Sequence, residues 1–129
     1  MKPPSNPYVL LAEDDRFLRR ACETRLRQMG LTVATAVDGE QALRMIQEQA
    51  PAAILLDLLM PKITGIEVLR HLRAHQDTRD IPVLILTNSP RECDVEEIHR
   101  LGVSGYRVKA ELSLQELGRC VAQLLAPKE

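Results

Sequence analysis

Ala53–Gly65 reads AILLDLLMPKITG: four aliphatic residues run into Asp57, and a loop follows that is broken by Pro61 and Gly65. An unbroken apolar run closed by a charge is the pattern of a strand covered on both faces. Two more runs of this kind lie to either side. Tyr8–Ala12 (YVLLA) is followed at once by Glu13, Asp14 and Asp15, and Val83–Leu86 (VLIL) is introduced by Pro82 and ends at Thr87. Leu31–Ala36 alternates β-branched with small residues, as a strand does. Gly105–Val108 (GYRV), ending at Lys109, is a weaker fifth candidate.

Between these runs the apolar spacing becomes helical. Leu18, Cys22, Leu26 and Met29 share one helix face, with Gly30 where a C-terminal cap belongs. Ala42, Leu43 and Ile46 mark a short helix that stops before Pro51. Ile66, Leu69 and Leu72, with Val68, predict a helix to about Ala74. Val95, Ile98 and Leu101 predict another, closed by Gly102. Leu114, Leu117, Val121 and Leu124 form the last, with Ser113 as N-cap. Five strand–helix units predict an α/β chain, a doubly wound five-stranded parallel sheet (βα)5 with helices on both faces.

The chain has 129 residues, enough for one domain. Its composition, 45% apolar and 27% charged, is that of an ordinary globule, and a net charge of −1 gives no pull towards nucleic acid or an anionic membrane. No apolar run approaches the roughly 20 residues of a membrane-spanning helix. MKPPSNP lacks the apolar core of a secretory signal. The expectation is a disordered lead-in over 1–7, a single domain over 8–126, no effector domain, and a cytoplasmic location. Cys22, Cys93 and Cys120 are widely spaced without a CxxC pair, so reduced thiols are expected.

In a doubly wound parallel sheet the binding site forms at the carboxyl ends of the strands. Those ends carry Glu13, Asp14 and Asp15, then Asp57, Thr87 and Lys109. With the first and third strands adjacent, Glu13, Asp14 and Asp57 share one small space, and such a cluster needs protons or a cation. Hard oxygen ligands with room for water and phosphate suit Mg2+. Lys109 offers a mobile positive charge for a phosphoryl oxygen, and Thr87 offers a hydroxyl. Phosphoryl transfer consists mainly of positioning and charge stabilisation, and a carboxylate nucleophile would yield a labile acyl phosphate.

LLAEDD, LLDLLMPKITG, PVLILT and GYRVKAE stand in this order at spacings that resemble the receiver domains of two-component response regulators, in particular the stand-alone chemotaxis type. The resemblance runs from about Tyr8 to Leu125 and implies a flavodoxin-like fold with strand order 2-1-3-4-5. It further implies that Asp57 is the phosphorylated residue, receiving its phosphoryl group from a histidine kinase or histidine phosphotransfer protein. Asp14 matches the principal metal-binding acid, Glu13 its water-mediated neighbour, and the Leu59 backbone carbonyl a further Mg2+ ligand. Thr87 and Lys109 match the pair gripping the phosphoryl group, and Tyr106 matches an aromatic switch. The fourth helix, fifth strand and fifth helix, roughly Arg91–Leu125, would be the output surface for a downstream protein.

Four positions depart from the family pattern. Ala110 stands where proline usually follows the lysine in a cis bond. A cis bond without proline costs ~2.5–4 kcal/mol, so either strain is retained there or the bond is trans and the lysine is placed differently. Asn88 replaces a smaller residue, Leu59 is apolar where water access to the acyl phosphate is governed together with Ser89, and Thr64 replaces a common aspartate. Slow autodephosphorylation is expected from Leu59 and Asn88.

Blander roles stand beside these. An acidic EDD suits a helix N-terminus, and Asp15 is expected to be structural. Lys109 alone would be a solvated charge, and Tyr106 a half-buried strand aromatic. His71 and His75, spaced i, i+4, are expected as exposed helix positions. Arg19, Arg20, Arg25 and Arg27 are expected as a solvated basic face, with kinase docking as the alternative. An aspartyl phosphatase would need a second acid at Leu59, and a flavin carrier would need a phosphate-cradling loop where EDD stands. The nearest rival is a degenerate receiver, a phosphorylation-independent interaction module. Otherwise no enzymatic activity is expected beyond self-catalysed phosphorylation and dephosphorylation.

Overall fold

The structure is a computed structural model and describes residues 7–88 and 95–126. Strands β1 (Val9–Ala12), β2 (Val33–Ala36), β3 (Ala53–Asp57), β4 (Val83–Thr87) and β5 (Gly105–Val108) alternate with helices α1 (Arg16–Gln28), α2 (Gly39–Glu48), α3 (Gly65–Ala74), α4 (Val95–Leu101) and α5 (Leu114–Leu125). All neighbouring strands pair in parallel, in the order β2-β1-β3-β4-β5. The predicted doubly wound, flavodoxin-like sheet is the sheet observed.

The aliphatic runs are continuous because both faces are buried. Along β3, Ile54 and Leu56 face one layer while Leu55 faces the other. The first layer packs Leu10, Ile54, Leu56 and Ile85 against Ala42 and Ile46 of α2, Val68, Leu69 and Leu72 of α3, and Ile98 of α4. The second packs Leu11, Leu55, Leu84 and Leu86 against Cys22 and Leu26 of α1 and Leu117 and Val121 of α5. Fully burying each such side chain contributes about 1.5–3 kcal/mol.

Caps set the helix starts. Asp15 accepts hydrogen bonds from Phe17 N and Leu18 N, which makes it the structural residue expected. Asp38, Thr64 and Ser113 cap α2, α3 and α5 in the same way. Gly30 and Gly102 end α1 and α4 with positive φ.

Two strands begin later than expected, β1 at Val9 and β2 at Val33, although Tyr8 is still buried. The arginines of α1 are not simply a solvated face. Arg19 Nη1 donates to Glu13 O and Asp14 O, Arg25 Nε to Leu114 O on α5, and Arg27 Nη2 to Val33 O. His75 is exposed as expected, but His71 is only half exposed, with its ring 4.2 Å from that of His75. Cys22 and Cys120 are buried free thiols, and burial, aided by the Glu13 charge, pushes Cys22 up to about 11. Cys93, Ser89, the segment 91–94 of the expected output face and residues 1–6 of the expected lead-in lie outside the described residues. No helix among the described residues is long and apolar enough to cross a membrane.

Candidate functional site

Register alone brings the site together. Ala12, the last residue of β1, pairs with Leu56, and Asp57 pairs with Leu86, so Glu13, Asp57 and Thr87 leave adjacent strands at one edge. Val108 pairs with Thr87, and Lys109 follows it. Thr87 is buried, and Tyr106 on β5 is half-buried, packed against the first apolar layer.

Glu13 and Asp57 are buried charged groups, and Asp14 is exposed. Glu13 Oε2 accepts from Asp15 N at 2.9 Å and from Lys109 Nζ at 3.0 Å. Lys109 Nζ also lies 2.9 Å from Glu13 Oε1 and 3.1 Å from Asp57 Oδ2. Asp57 Oδ1 accepts from Leu59 N at 3.3 Å. The ammonium thus turns inward, and the Lys109–Ala110 peptide is trans, entering a 3-10 turn over Lys109–Glu111. Ala110 in place of proline therefore leaves the lysine in the site.

Electrostatics follow from this packing. Burial, then the Glu13 charge and a contact with Asp14, pushes Asp57 up to about 7, opposed by Lys109. Burial pulls Lys109 down, but its bonds to Glu13 and its pairing with Asp57 outweigh that and hold it above the ordinary lysine value.

Oxygens of Glu13, Asp14 and Asp57 lie within 4.8 Å of one another. Glu13 Oε1 and Asp57 Oδ2 accept no well-directed hydrogen bond from the described residues, although both lie within ion-pair distance of Lys109. One ammonium does not neutralise three carboxylates. Hard oxygens, surplus negative charge and unsatisfied buried acceptors fit a small divalent cation such as Mg2+.

The loop after β3 is held by close backbone approach. A Cβ at Gly65 would fall on the Asp57 carbonyl oxygen and lie 2.7 Å from Leu58 Cα, while Gly65 N donates to Leu58 O at 2.9 Å. Only glycine fits there. Leu59 is 48% exposed beside the acids, and Asn88 is exposed after β4.

The candidates Glu13, Asp14, Asp57 and Lys109 come together, with Leu59 next to them. Glu13, matched in sequence to a metal ligand acting through water, is fully buried and is the main partner of Lys109. The spacing gave no sign of that. Arg19, which ties down the carbonyls of Glu13 and Asp14, was also missed, because an arginine on a helix ordinarily signals only solvent.

The family description "response regulator receiver domain" matches residues 9–121. The chain is 28% identical to the chemotaxis response regulator CheY4 of Vibrio cholerae, with TM-score 0.83, covering 94% of this chain and 100% of that one. It is 30% identical, with TM-score 0.82, to the receiver domain of a sensor histidine kinase from Pseudomonas aeruginosa, solved with a magnesium ion coordinated in its active-site cleft. That match covers 94% and 98% of the two chains. Among curated proteins, the transcriptional regulatory protein AfsQ1 of Streptomyces coelicolor is 40% identical over 80% of this chain and 44% of its own length. A probable transcriptional regulator, ycf27 of Cyanophora paradoxa, is 37% identical over 94% of this chain and 49% of its own length. The chain thus spans about half the length of these curated relatives. Strand order, acidic cluster and sequence match agree: the chain belongs to the response regulator receiver domain family.

Proposed function

We propose that this chain is a phosphoacceptor switch in a two-component relay, with Asp57 receiving the phosphoryl group of a phosphohistidine on a kinase or phosphotransfer protein. An Asp57 carboxylate oxygen attacks phosphorus, the P–N bond breaks, its electron pair stays with the imidazole, and an acyl phosphate forms. The observation that carries this reading is the Lys109 ammonium placed between two buried carboxylates, 3.1 Å from Asp57 Oδ2. Lys109 is within reach of a new phosphoryl oxygen, and Thr87 supplies a hydroxyl from the end of β4. Receiver domains generally bind Mg2+. Here Glu13, Asp14, Asp57 and the Leu59 carbonyl would hold it, and it would neutralise charge on the phosphoryl oxygens.

A protein donor is supported by where apolar surface remains. The large hydrophobics exposed among the described residues are Phe17, Val37, Leu59 and Leu114. Each lies just after β1, β2, β3 or β5, on the edge that carries Asp57. Apolar side chains at that edge suit a docked protein better than a small solute.

Output is proposed to pass through the α4–β5–α5 face as a change in protein contacts, with Thr87 and Tyr106 as the switch pair. A cytoplasmic location and the stand-alone chemotaxis type belong to the same proposal. The likeness to the Vibrio cholerae chemotaxis regulator supports that type, while the transcriptional relatives support a role in regulating transcription. The rival reading is a receiver that works without phosphorylation, to which Ala110, Asn88 and Leu59 lend support. The inward Lys109 supports the active switch instead.

The test is incubation with Mg2+ and acetyl phosphate followed by intact mass. A gain of one phosphoryl group, absent in Asp57→Asn and without Mg2+, is the expected result. An unchanged mass under conditions that load another receiver overturns the proposal.

A further inference from the structure

Helix α2 begins on the loop that leaves Asp57. Its cap, Asp38, accepts from Gln41 N at 2.7 Å through Oδ1, while Oδ2 stands 3.7 Å from Lys62 Nζ. The next residue, Gly39, is buried and donates its amide to Pro61 O at 3.4 Å. A Cβ on Gly39 would fall on the Ile63 carbonyl oxygen, 2.6 Å from Ile63 C and 2.8 Å from Ile63 Cβ. The obstacle is backbone, which cannot swing aside as a side-chain tip can. Between these anchors Lys62 takes φ 70°, a region disfavoured for residues with a side chain. Pro61, Lys62 and Ile63 are therefore each held by Asp38 or Gly39. The far end of the same loop is held by Gly65 against Asp57. Leu59, near its start, donates to Asp57 Oδ1.

We propose that Gly39 is a positioning residue for the phosphoacceptor site. Its bare Cα lets α2 seat directly on residues 61–63, and that seat sets the Leu59 amide and carbonyl relative to Asp57. The inference rests on the reading of Asp57 as phosphoacceptor beside a divalent ion.

Gly39→Ala must lift α2 or push the loop. Displacing a group that orients a metal ligand typically weakens metal affinity about 10–100-fold, so the Mg2+ Kd, read by calorimetry, should rise at least about tenfold. The rate of acetyl phosphate loading at saturating Mg2+ should fall as well. Gly118→Ala is the control. Its Cβ meets Met29 Sδ at 3.0 Å and Arg25 Nη2 at 3.1 Å, in the α1–α5 contact, so it should lower the melting temperature and leave the Mg2+ Kd unchanged. If Gly39→Ala does not fold, Asp38→Ala decides, since it removes the cap and the Lys62 pair without adding an atom. A several-fold weaker Mg2+ Kd in that variant supports the proposal. A folded Gly39→Ala or Asp38→Ala with native Mg2+ affinity, or a Gly118→Ala that loses affinity in step with its stability, overturns it. Native protein that neither binds Mg2+ nor is phosphorylated overturns the reading of the site and this inference with it. Native protein that does both, with unchanged variants, overturns the inference alone.

Discussion

Lys109 reaches past strand β4 to stand 3.1 Å from Asp57 Oδ2, although β3 and β5 are not neighbours in the sheet. The same ammonium holds Glu13 at the end of β1, so one side chain spans four strand ends. With only 12% of its side chain exposed, it is little screened by solvent.

Removing that charge should be costly in a pH-dependent way. Truncating one partner of a buried ion pair typically costs about 3–5 kcal/mol, because the charge left behind has no compensation. Lys109→Ala should approach that loss in urea unfolding near pH 8. The loss should be smaller near pH 5.5, where Asp57 can take a proton instead. Adding Asp57→Asn should recover part of it. Equal losses at both pH values would show that the pair contributes nothing specific.

Asp57 sets the sign of a second dependence. Its folded carboxyl sits at about 7, above an ordinary value of 3.8, chiefly through burial and then through Glu13. Between those values the folded chain keeps a proton that the unfolded chain has released. Stability therefore falls as pH rises through this window and levels off above it. Asp57→Asn should flatten this slope and be more stable than native near pH 8, on the order of 2–4 kcal/mol before relaxation is allowed for. Millimolar Mg2+ near pH 8 should narrow the gap by stabilising the native chain alone. Paired melting curves across pH test this, and an unchanged slope in the variant would refute it.

Much of this was legible in the chain itself. AILLD and VLIL give strands because both faces are buried, and each run ends on the residue that enters the site, Asp57 or Thr87. Register then does the rest, since parallel pairing brings every strand end to one edge. What stayed hidden has no periodicity. Glu13 as the deeper acid depends on loop direction after β1, Arg19 acts by turning back on the carbonyls of Glu13 and Asp14, and Arg73 acts through carbonyls of Leu101 and Gly102 far from it in sequence. Gly65 was legible only as a loop breaker and Gly39 not at all, because a missing Cβ shows its use only when another chain segment lies against it. At Ala110 the sequence left a cis or a trans bond open; the bond is trans, and the lysine is held by its ionic partners.

Leu59 should govern how long the phosphoryl group lasts. It is 48% exposed at the acidic cluster, and an aliphatic side chain can neither donate to nor accept from an attacking water. Leu59→Asn supplies both functions and should shorten the acyl phosphate lifetime several-fold. As an exposed position, it should change stability by no more than about 0.5 kcal/mol. Asn88→Ala, which removes bulk from an exposed position next to Thr87, should act in the same direction. Phosphate release after removal of the donor measures both. A native lifetime in the two variants together would rule out these residues as the brake.

Arg73 joins three segments away from the site. Its Nε donates to Leu101 O at 2.8 Å and Gly102 O at 3.1 Å, its Nη2 to Gly102 O at 2.7 Å, and its Nη1 to Arg79 O at 3.0 Å. The carbonyls at the end of α4 are among those a helix leaves unpaired, so this fork caps α4 from α3. Burial pulls the guanidinium below its usual value, with Asp80 opposing, yet it remains charged because guanidinium deprotonates only far above neutrality. Arg73→Ala strips charge-assisted bonds from these carbonyls, of which only Leu101 O is partly buried, and should cost about 1.5–3 kcal/mol in urea unfolding. Arg73→Lys should restore less than half, since one ammonium cannot meet carbonyls of both the α3–β4 loop and α4 in a fixed fork. Amide exchange should quicken in α4 and across residues 75–81 while β1 and β3 stay protected. Full recovery by lysine would mean that charge alone, and not the planar fork, holds α4 in place.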